Sequence, residues 1–146
     1  MSHSIFLPDE AATADLGRAL AAPLRPGWAV CLRGPLGAGK STLARALIRA
    51  LTSPDEEVPS PTFTLVQAYD GTIPLSHFDL YRLSSPDEAY EIGFDEALRD
   101  GAVIVEWPQR LGEAQPADRL EVEVEPEGEG RRATLTAHGA WVGVDL

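Results

Sequence analysis

Gly34-Pro35-Leu36-Gly37-Ala38-Gly39-Lys40-Ser41 decides the fold, because it fits the pattern G-x-x-x-x-G-K-[S/T] of a phosphate-binding loop, hereafter the P-loop. A pattern this loose also arises by chance, as a glycine-rich turn with an incidental lysine. The flanking sequence must therefore decide whether the segment is a true P-loop. The apolar run 28–32 precedes it and predicts a strand buried on both faces. Leu43, Leu47 and Leu51 follow at helical spacing. Strand, glycine loop and helix therefore stand in the order that a P-loop requires.

The chemistry of the P-loop follows from its backbone. Glycines let the chain curl so that successive N–H groups point inward, and the following helix adds the partial positive charge of its N-terminus. Lys40 would reach the β- and γ-phosphates of a nucleotide, and the Ser41 hydroxyl would bind the Mg²⁺ that bridges them. The residues expected to contact the nucleotide here are Leu36, Gly37, Ala38, Gly39, Lys40, Ser41 and Thr42.

Length and charge narrow the class of protein. The 146 residues predict one domain. A net charge of −11 argues against direct binding to a nucleic-acid backbone, which needs clustered Lys and Arg, so any role with nucleic acid would be indirect. The single cysteine, Cys31, falls in a predicted buried strand and is expected to be a core residue. The N-terminus has no basic start and no run of eighteen apolar residues occurs, so we expect a soluble cytoplasmic protein without a membrane segment.

The remaining patterns predict an α/β fold. Asp9 caps a helix that runs to about residue 22, and Asp70-Gly71 joins two strands, 61–69 and 73–79, into a hairpin. A capping box at Ser85 and Glu88 predicts a helix that ends near residue 93, with further helical turns over 94–99.

The apolar run 102–106 predicts a central parallel strand, and alternation over 120–125 and 133–137 predicts a C-terminal hairpin with one solvated face. The expected architecture is P-loop NTPase-like. It has a mainly parallel central sheet flanked by helices, with an antiparallel edge and a C-terminal hairpin.

Two acids at strand ends are candidates to complete the site. Glu106 ends the apolar strand 102–105 and should lie beside the P-loop, at the edge where open α/β sheets bind ligands. Asp79 ends a less apolar strand. A P-loop needs a carboxylate here to hold Mg²⁺, directly or through water, and we assign this role to Glu106 before Asp79. Thr62 lies in the loop after the P-loop helix, where nucleotide-sensing switches place a hydroxyl.

Two other residues, His77 and Trp107, lie close to these acids in the sequence. His77 on its strand is expected to be a hydrogen-bonded structural residue and receives no catalytic role. Trp107 follows Glu106 directly, and its aromatic ring fits a core position, a lid over the site or an anchor for a partner. The pattern alone leaves these three alternatives open.

Several segments together resemble the bacterial TsaE family (older name YjeE), small P-loop ATPases of the tRNA threonylcarbamoyladenosine (t6A) pathway. The segments cover most of the chain: LPDEAAT, GPLGAGKST, SPTFTLVQAY, HFDLYRL, EIGFDEAL, VEWPQRL and PADRLEV. HFDLYRL and VEWP are far more specific than the P-loop itself. Two positions depart from the family pattern: Pro35 stands where the family usually has Asp or Glu, and Ser41 replaces the usual Thr but keeps its hydroxyl.

The resemblance implies an ATPase that hydrolyses little ATP alone. It would work with a TsaB–TsaD heterodimer, resetting that complex between rounds of threonylcarbamoyl transfer to adenosine 37 of tRNAs. It makes Lys40 the phosphate lysine, Ser41 and Glu106 the Mg²⁺ ligands and Thr62 a switch residue, and it makes Asp79 necessary for hydrolysis.

The resemblance also assigns residues that the patterns above do not indicate. It places Trp107 near the nucleotide, and Glu10, Gly130 and Arg131 around the adenine and ribose. The tRNA would be held by the other subunits, which agrees with the acidic charge of this chain. Two other functions compete with this one: a small-molecule P-loop kinase, disfavoured because no arginine-rich lid is present, and a nucleotide-gated scaffold in which hydrolysis is incidental.

Overall fold

The computed structural model describes residues 2–35, 37–59 and 65–146. The strands within these ranges are β1 (Ser2–Leu7), β2 (Ala29–Arg33), β3 (Val66–Asp70), β4 (Pro74–Asp79), β5 (Ala102–Glu106), β6 (Arg119–Glu127) and β7 (Gly130–Ala137). The α-helices are α1 (Glu10–Ala21), α2 (Lys40–Leu51), α3 (Asp87–Glu91) and α4 (Phe94–Asp100), and short 3₁₀ segments cover Pro108–Ala114 and Gly139–Trp141.

All seven described strands form one sheet in the order β1-β7-β6-β2-β5-β4-β3. The centre is parallel, since β2 pairs with both β5 and β6, and β4 pairs with β5. Both edges are antiparallel, through β3 with β4 on one side and β6, β7 and β1 on the other. The predicted mainly parallel sheet with an antiparallel edge and a C-terminal hairpin is therefore confirmed.

The two faces of the sheet bury different residues because side chains alternate along each strand. In β2, Val30 and Leu32 face a core built with α1 and α2, whereas Ala29 and Cys31 face a second core that includes residues of α3 and α4. Burial raises the pKa of the Cys31 thiol to about 12, so it is a protonated core residue, as predicted.

Several boundaries differ from the sequence predictions. The expected strand 28–32 spans Ala29–Arg33, and the hairpin strands span Val66–Asp70 and Pro74–Asp79, while residues 60–64 lie outside the described ranges. The capping box at Ser85 is wrong, because α3 begins after Pro86 without a side-chain cap, and the Glu88 carboxylate accepts the backbone N–H of Ser84 instead. Strand β1 was not predicted at all. No helix in the part of the chain that the structure describes is long and apolar enough to span a membrane.

Helix α1 holds the P-loop helix against the sheet through a very close contact. Gly17 of α1 lies against the backbone of α2, where a Cβ atom on Gly17 would come within 2.4 Å of the Leu43 carbonyl oxygen. Only glycine permits this separation. The packing of α1 on α2 thus fixes the first turn of the helix that starts at the P-loop.

We predict that Gly17→Ala lowers the free energy of unfolding by about 1–3 kcal/mol, because the added methyl group forces the two helices apart. Helix propensity alone predicts the opposite, a gain of about 1 kcal/mol. Urea denaturation of the parent and the variant decides between the two. Ala19→Gly on the exposed side of α1 is the matched control, and it should cost about 1 kcal/mol through propensity. A Gly17→Ala variant as stable as the parent would contradict the close-packing argument.

Candidate functional site

The P-loop leaves the carboxyl end of β2 and ends at an open helix N-terminus. Gly39 is the N-cap of α2 in a left-handed conformation (φ 108°), and no side chain caps the helix there. Gly37 is also left-handed (φ 80°), a conformation in which glycine meets no steric cost. No side chain in the described ranges accepts the first N–H groups of α2. An anion is the ligand that such a helix end favours.

Lys40 is a buried cation at this helix N-terminus. The residue is 5% exposed, and no residue in the described ranges forms a hydrogen bond or ion pair with its ammonium group. The contact that it does make is with an aromatic ring, since Nζ lies 4.9 Å from the ring centroid of Trp107. A cation–π contact compensates only part of the loss of hydration. Lys40 and the open end of α2 together fit a strongly anionic ligand.

Glu106 lies beside the P-loop strand, as predicted. It pairs with Leu32 in the parallel β2–β5 ladder, two residues before Gly34 begins the P-loop. Its carboxylate is largely buried and is held by His77, whose Nε2 lies 2.7 Å from Glu106 Oε2. The interpretation of His77 as a hydrogen-bonded structural residue agrees with this contact, although its partner was not predicted.

Asp79 lies next to Glu106 on the neighbouring strand. The two residues are register partners in the β4–β5 ladder, where strands run about 4.8 Å apart. Asp79 is buried, and its Oδ1 accepts the backbone N–H of Tyr81 at 3.1 Å. The structure therefore brings both predicted carboxylates to the same edge of the sheet.

Trp107 forms a wall of the site next to Lys40. It has a left-handed backbone (φ 62°, ψ 50°) and is partly exposed. Its ring packs against Lys40 on one side and Tyr81 on another, with 4.8 Å between the two ring centroids. Arg110 continues the stack, with its guanidinium carbon 5.9 Å from the Tyr81 ring centroid. Trp107 also packs, partly buried, against the second hydrophobic core, so all three alternatives stay open.

A cavity of about 220 Å³ opens in front of the P-loop. Its lining residues are Gly37, Gly39, Lys40, Ser41, Thr42, Glu106, Glu10 and Arg131. Arg131 of β7 reaches across Gly39, where an added Cβ would meet its Cδ at 3.0 Å. Patterns in the sequence did not indicate Glu10 or Arg131, because a first-turn acid on a helix and an arginine near a turn have ordinary structural explanations.

Four described residues that were expected at the site do not line this cavity: Ala38, Asp79, Trp107 and Gly130. Ala38 is buried, and its N–H donates to the Pro35 carbonyl within the turn. Gly130 lies instead against the backbone of β1, where a Cβ would come within 2.5 Å of the Leu7 carbonyl oxygen. Leu36 lies outside the described residues, as does Thr62 of the expected switch.

A smaller space of about 50 Å³ lies next to the P-loop, and its lining residues are Ser41, His77, Glu106, Arg45, Ala44, Val58 and Pro59. Within residues 2–35, 37–59 and 65–146, no group of three or more His, Cys, Asp or Glu could hold a metal ion alone. This donor set suits Mg²⁺ and not a metal that needs an all-protein cage, because Mg²⁺ binds one or two protein oxygens together with water and phosphate oxygens. Ser41 and Glu106 fit that requirement.

A larger groove of about 410 Å³ lies elsewhere, between the outer faces of α1 and α2. Arg18, Arg45 and Arg49 line it over an alanine-rich floor. Neither Lys40 nor a carboxylate is among its described lining residues. The smaller cavity at the P-loop is therefore the better candidate for a nucleotide, since it joins the open helix end, the buried cation and the acid.

Fold and site together define a P-loop protein of the nucleotide-binding α/β class. The crystal structure of YdiB from Bacillus subtilis is similar, with a TM-score of 0.77 and 29% identity, covering 95% of this chain and 87% of that one. The chain belongs to the TsaE family: residues 7–134 match the family described as threonylcarbamoyl adenosine biosynthesis protein TsaE.

Curated relatives support this membership. Proteins with the name tRNA threonylcarbamoyladenosine biosynthesis protein TsaE are 37% identical in Rickettsia felis (88% of this chain, 75% of the relative) and 37% identical in Bacillus subtilis (90% and 82%). The Synechocystis relative is 45% identical over 75% of this chain and 73% of its own length. The resemblance found in the sequence motifs is thereby confirmed, and with it a family role in t6A biosynthesis.

We predict that Lys40→Met raises the free energy of unfolding of the ligand-free protein by about 1 kcal/mol. The substitution removes a buried charge that has no ion-pair partner among the described residues, and it keeps an apolar contact with Trp107. Urea denaturation without nucleotide tests this. Arg45→Met, at an exposed position on the same helix, is the control and should change stability by less than about 0.5 kcal/mol. Loss of stability in Lys40→Met would mean that the ammonium group is already compensated.

Proposed function

We propose that this protein binds and hydrolyses ATP with Mg²⁺, and that it supports a TsaB–TsaD heterodimer in the threonylcarbamoylation of adenosine 37 of tRNAs. The observation that carries the proposal is Lys40, a buried cation without an anionic partner among the described residues, at an uncapped helix N-terminus. Only a strongly anionic group satisfies both features, and a nucleotide polyphosphate supplies one. Membership of the TsaE family supports the pathway.

Each residue of the P-loop has a defined part in this proposal. The N–H groups at the start of α2 bind phosphate oxygens, and Lys40 adds a point charge toward the β- and γ-phosphates. The Ser41 hydroxyl and the Glu106 carboxylate would hold Mg²⁺. When bound, the ion neutralises charge that develops on the phosphates during transfer. The reaction cleaves the bond between the β- and γ-phosphates of ATP with water, giving ADP and inorganic phosphate.

The other residues act around this centre. Asp79, beside Glu106, would help to orient the attacking water or the hydrated ion. Thr62 would sense the γ-phosphate, the group that ATP has and ADP lacks, and so report the nucleotide state to a partner. Trp107 would lie along the nucleotide next to Lys40. Glu10 and Arg131 line the cavity and would flank the ribose and adenine. Gly130 precedes Arg131 in β7 and would contribute only through its close packing on β1.

The charge of the chain fits an indirect role with tRNA. At −11 the protein as a whole repels a phosphate backbone, so the partner subunits would hold the tRNA. We propose a single domain that acts in the cytoplasm, where tRNA modification takes place. Its contribution to the partner complex would be the energy and timing of ATP hydrolysis.

Lys40 and Glu106 should have separable effects. Lys40→Ala should weaken ATP affinity about 10- to 100-fold, because a charge-assisted contact to the phosphates is lost. Glu106→Gln should leave affinity nearly unchanged and slow Mg²⁺-dependent hydrolysis about 100-fold, because it removes negative charge at the ion. Titration with a fluorescent ATP analogue and single-turnover phosphate release measure the two effects. Equal ATP affinity in Lys40→Ala and the parent would exclude the P-loop as the binding site.

The partner role is tested by phosphate release with and without purified TsaB–TsaD complex. We expect weak hydrolysis alone and stimulation of at least about 10-fold by the complex, with no stimulation of Lys40→Ala. A flat response together with ATP-dependent binding to the complex would favour the nucleotide-gated scaffold. Transfer of the γ-phosphate to a small molecule, with no response to the complex, would favour the kinase.

A further inference from the structure

His77 is a buried side chain that the proposed chemistry does not yet use. It lies in β4, two residues before Asp79, so the two side chains leave the same face of the sheet. The residue is only 3% exposed. Its Nε2 meets Glu106 Oε2 at 2.7 Å, and its Nδ1 is buried without a hydrogen-bond partner among the residues that the structure describes. Among the described residues, the imidazole ring therefore makes one hydrogen bond, from Nε2 to Glu106.

The direction of this hydrogen bond follows from the chemistry of the acid. An ionised carboxylate can only accept, so Nε2–H of His77 is the donor to Glu106 Oε2. A charge-assisted bond of this kind is among the stronger ones in proteins. It takes one oxygen of Glu106 and leaves Oε1 for another partner.

The surroundings indicate where the second oxygen is needed. Ser41 and Glu106 both line the cavity in front of the P-loop, and they also line a smaller space of about 50 Å³ that His77 and Arg45 border. Such a space is large enough for a small cation or an ordered water. A glutamate side chain has several rotatable bonds, and holding one oxygen restricts the positions of the other. The hydrogen bond from His77 thus restricts the conformations of the Glu106 side chain before the ion binds. Less conformational entropy is then lost when the ion binds.

We propose that His77 is a positioning residue that orients the Glu106 carboxylate toward Ser41 for a divalent cation bound with the nucleotide. This inference rests on the proposed function, because it assigns a role within the same Mg²⁺ and nucleotide site. In this proposal His77 acts through its hydrogen bond to Glu106 and not as a ligand of the ion. Its loss should weaken the metal selectively and leave metal-free nucleotide binding intact.

The experiment measures Mn²⁺ affinity by electron paramagnetic resonance of the ADP-loaded protein, and ADP affinity in the presence of EDTA. His77→Gln places an amide N–H near the position of Nε2 and keeps the donor, whereas His77→Asn is too short to reach Glu106. Both variants are polar, and thermal unfolding confirms that each is folded. A third variant, His77→Met, removes every donor.

We expect His77→Asn and His77→Met to lose about 10-fold or more in Mn²⁺ affinity, with His77→Gln within a factor of about 3 of the parent. ADP affinity in EDTA should stay within about 2-fold for all variants. If His77→Asn binds Mn²⁺ as the parent does, or if Gln and Asn lose equally, His77 is a packing residue and the inference is wrong. If the parent binds ADP but no Mn²⁺, the inference and the metal part of the proposed function fail together. If the parent binds no nucleotide at all, the proposed function itself fails.

Discussion

The register between β2 and β5 is the constraint on which the site depends. Both strands are buried on both faces, and the ladder pairs Leu32 with Glu106. A shift of one residue would turn every side chain of β5 to the other face of the sheet. Glu106 would then point toward the second core, away from α2 and the P-loop. The apolar residues that surround the ladder therefore position a carboxylate as well as stabilise the fold.

The fold could be predicted wherever a local pattern carries the information. The P-loop with its flanking strand and helix, the run 102–106 and the C-terminal alternation each identify their own element. Strand β1 (Ser2–Leu7) was not predicted, because it is a mostly exposed edge strand. Its conformation depends on pairing with β7, more than a hundred residues later in the chain. The parallel contact of β6 with β2 was invisible for the same reason. Pairing between strands that are distant in the sequence produces no recognisable pattern in either segment alone.

The site residues also fall into two groups, those that a local sequence pattern indicates and those that depend on tertiary packing. Lys40 and Glu106 could be placed because one lies in a motif and the other ends a buried strand beside it. The contact of His77 with Glu106 could not, since it depends on the register of two strands whose residues lie 29 positions apart. Arg131 came only from family resemblance, because nothing near a surface turn indicates that its side chain crosses Gly39. The motif predicts where a ligand binds, whereas tertiary packing decides which other side chains reach it.

The antiparallel edge formed by β1 and β7 has a consequence for how the chain is made. On the ribosome β1 is synthesised before every other strand of the sheet, and β7 after all of them. The β1 segment must therefore wait, with its backbone N–H and C=O groups unpaired, until β7 has been translated. A waiting edge strand is a template for pairing with other chains. The first residues of β1, Ser2, His3 and Ser4, are polar. They lack the long apolar surface that promotes aggregation through such an edge.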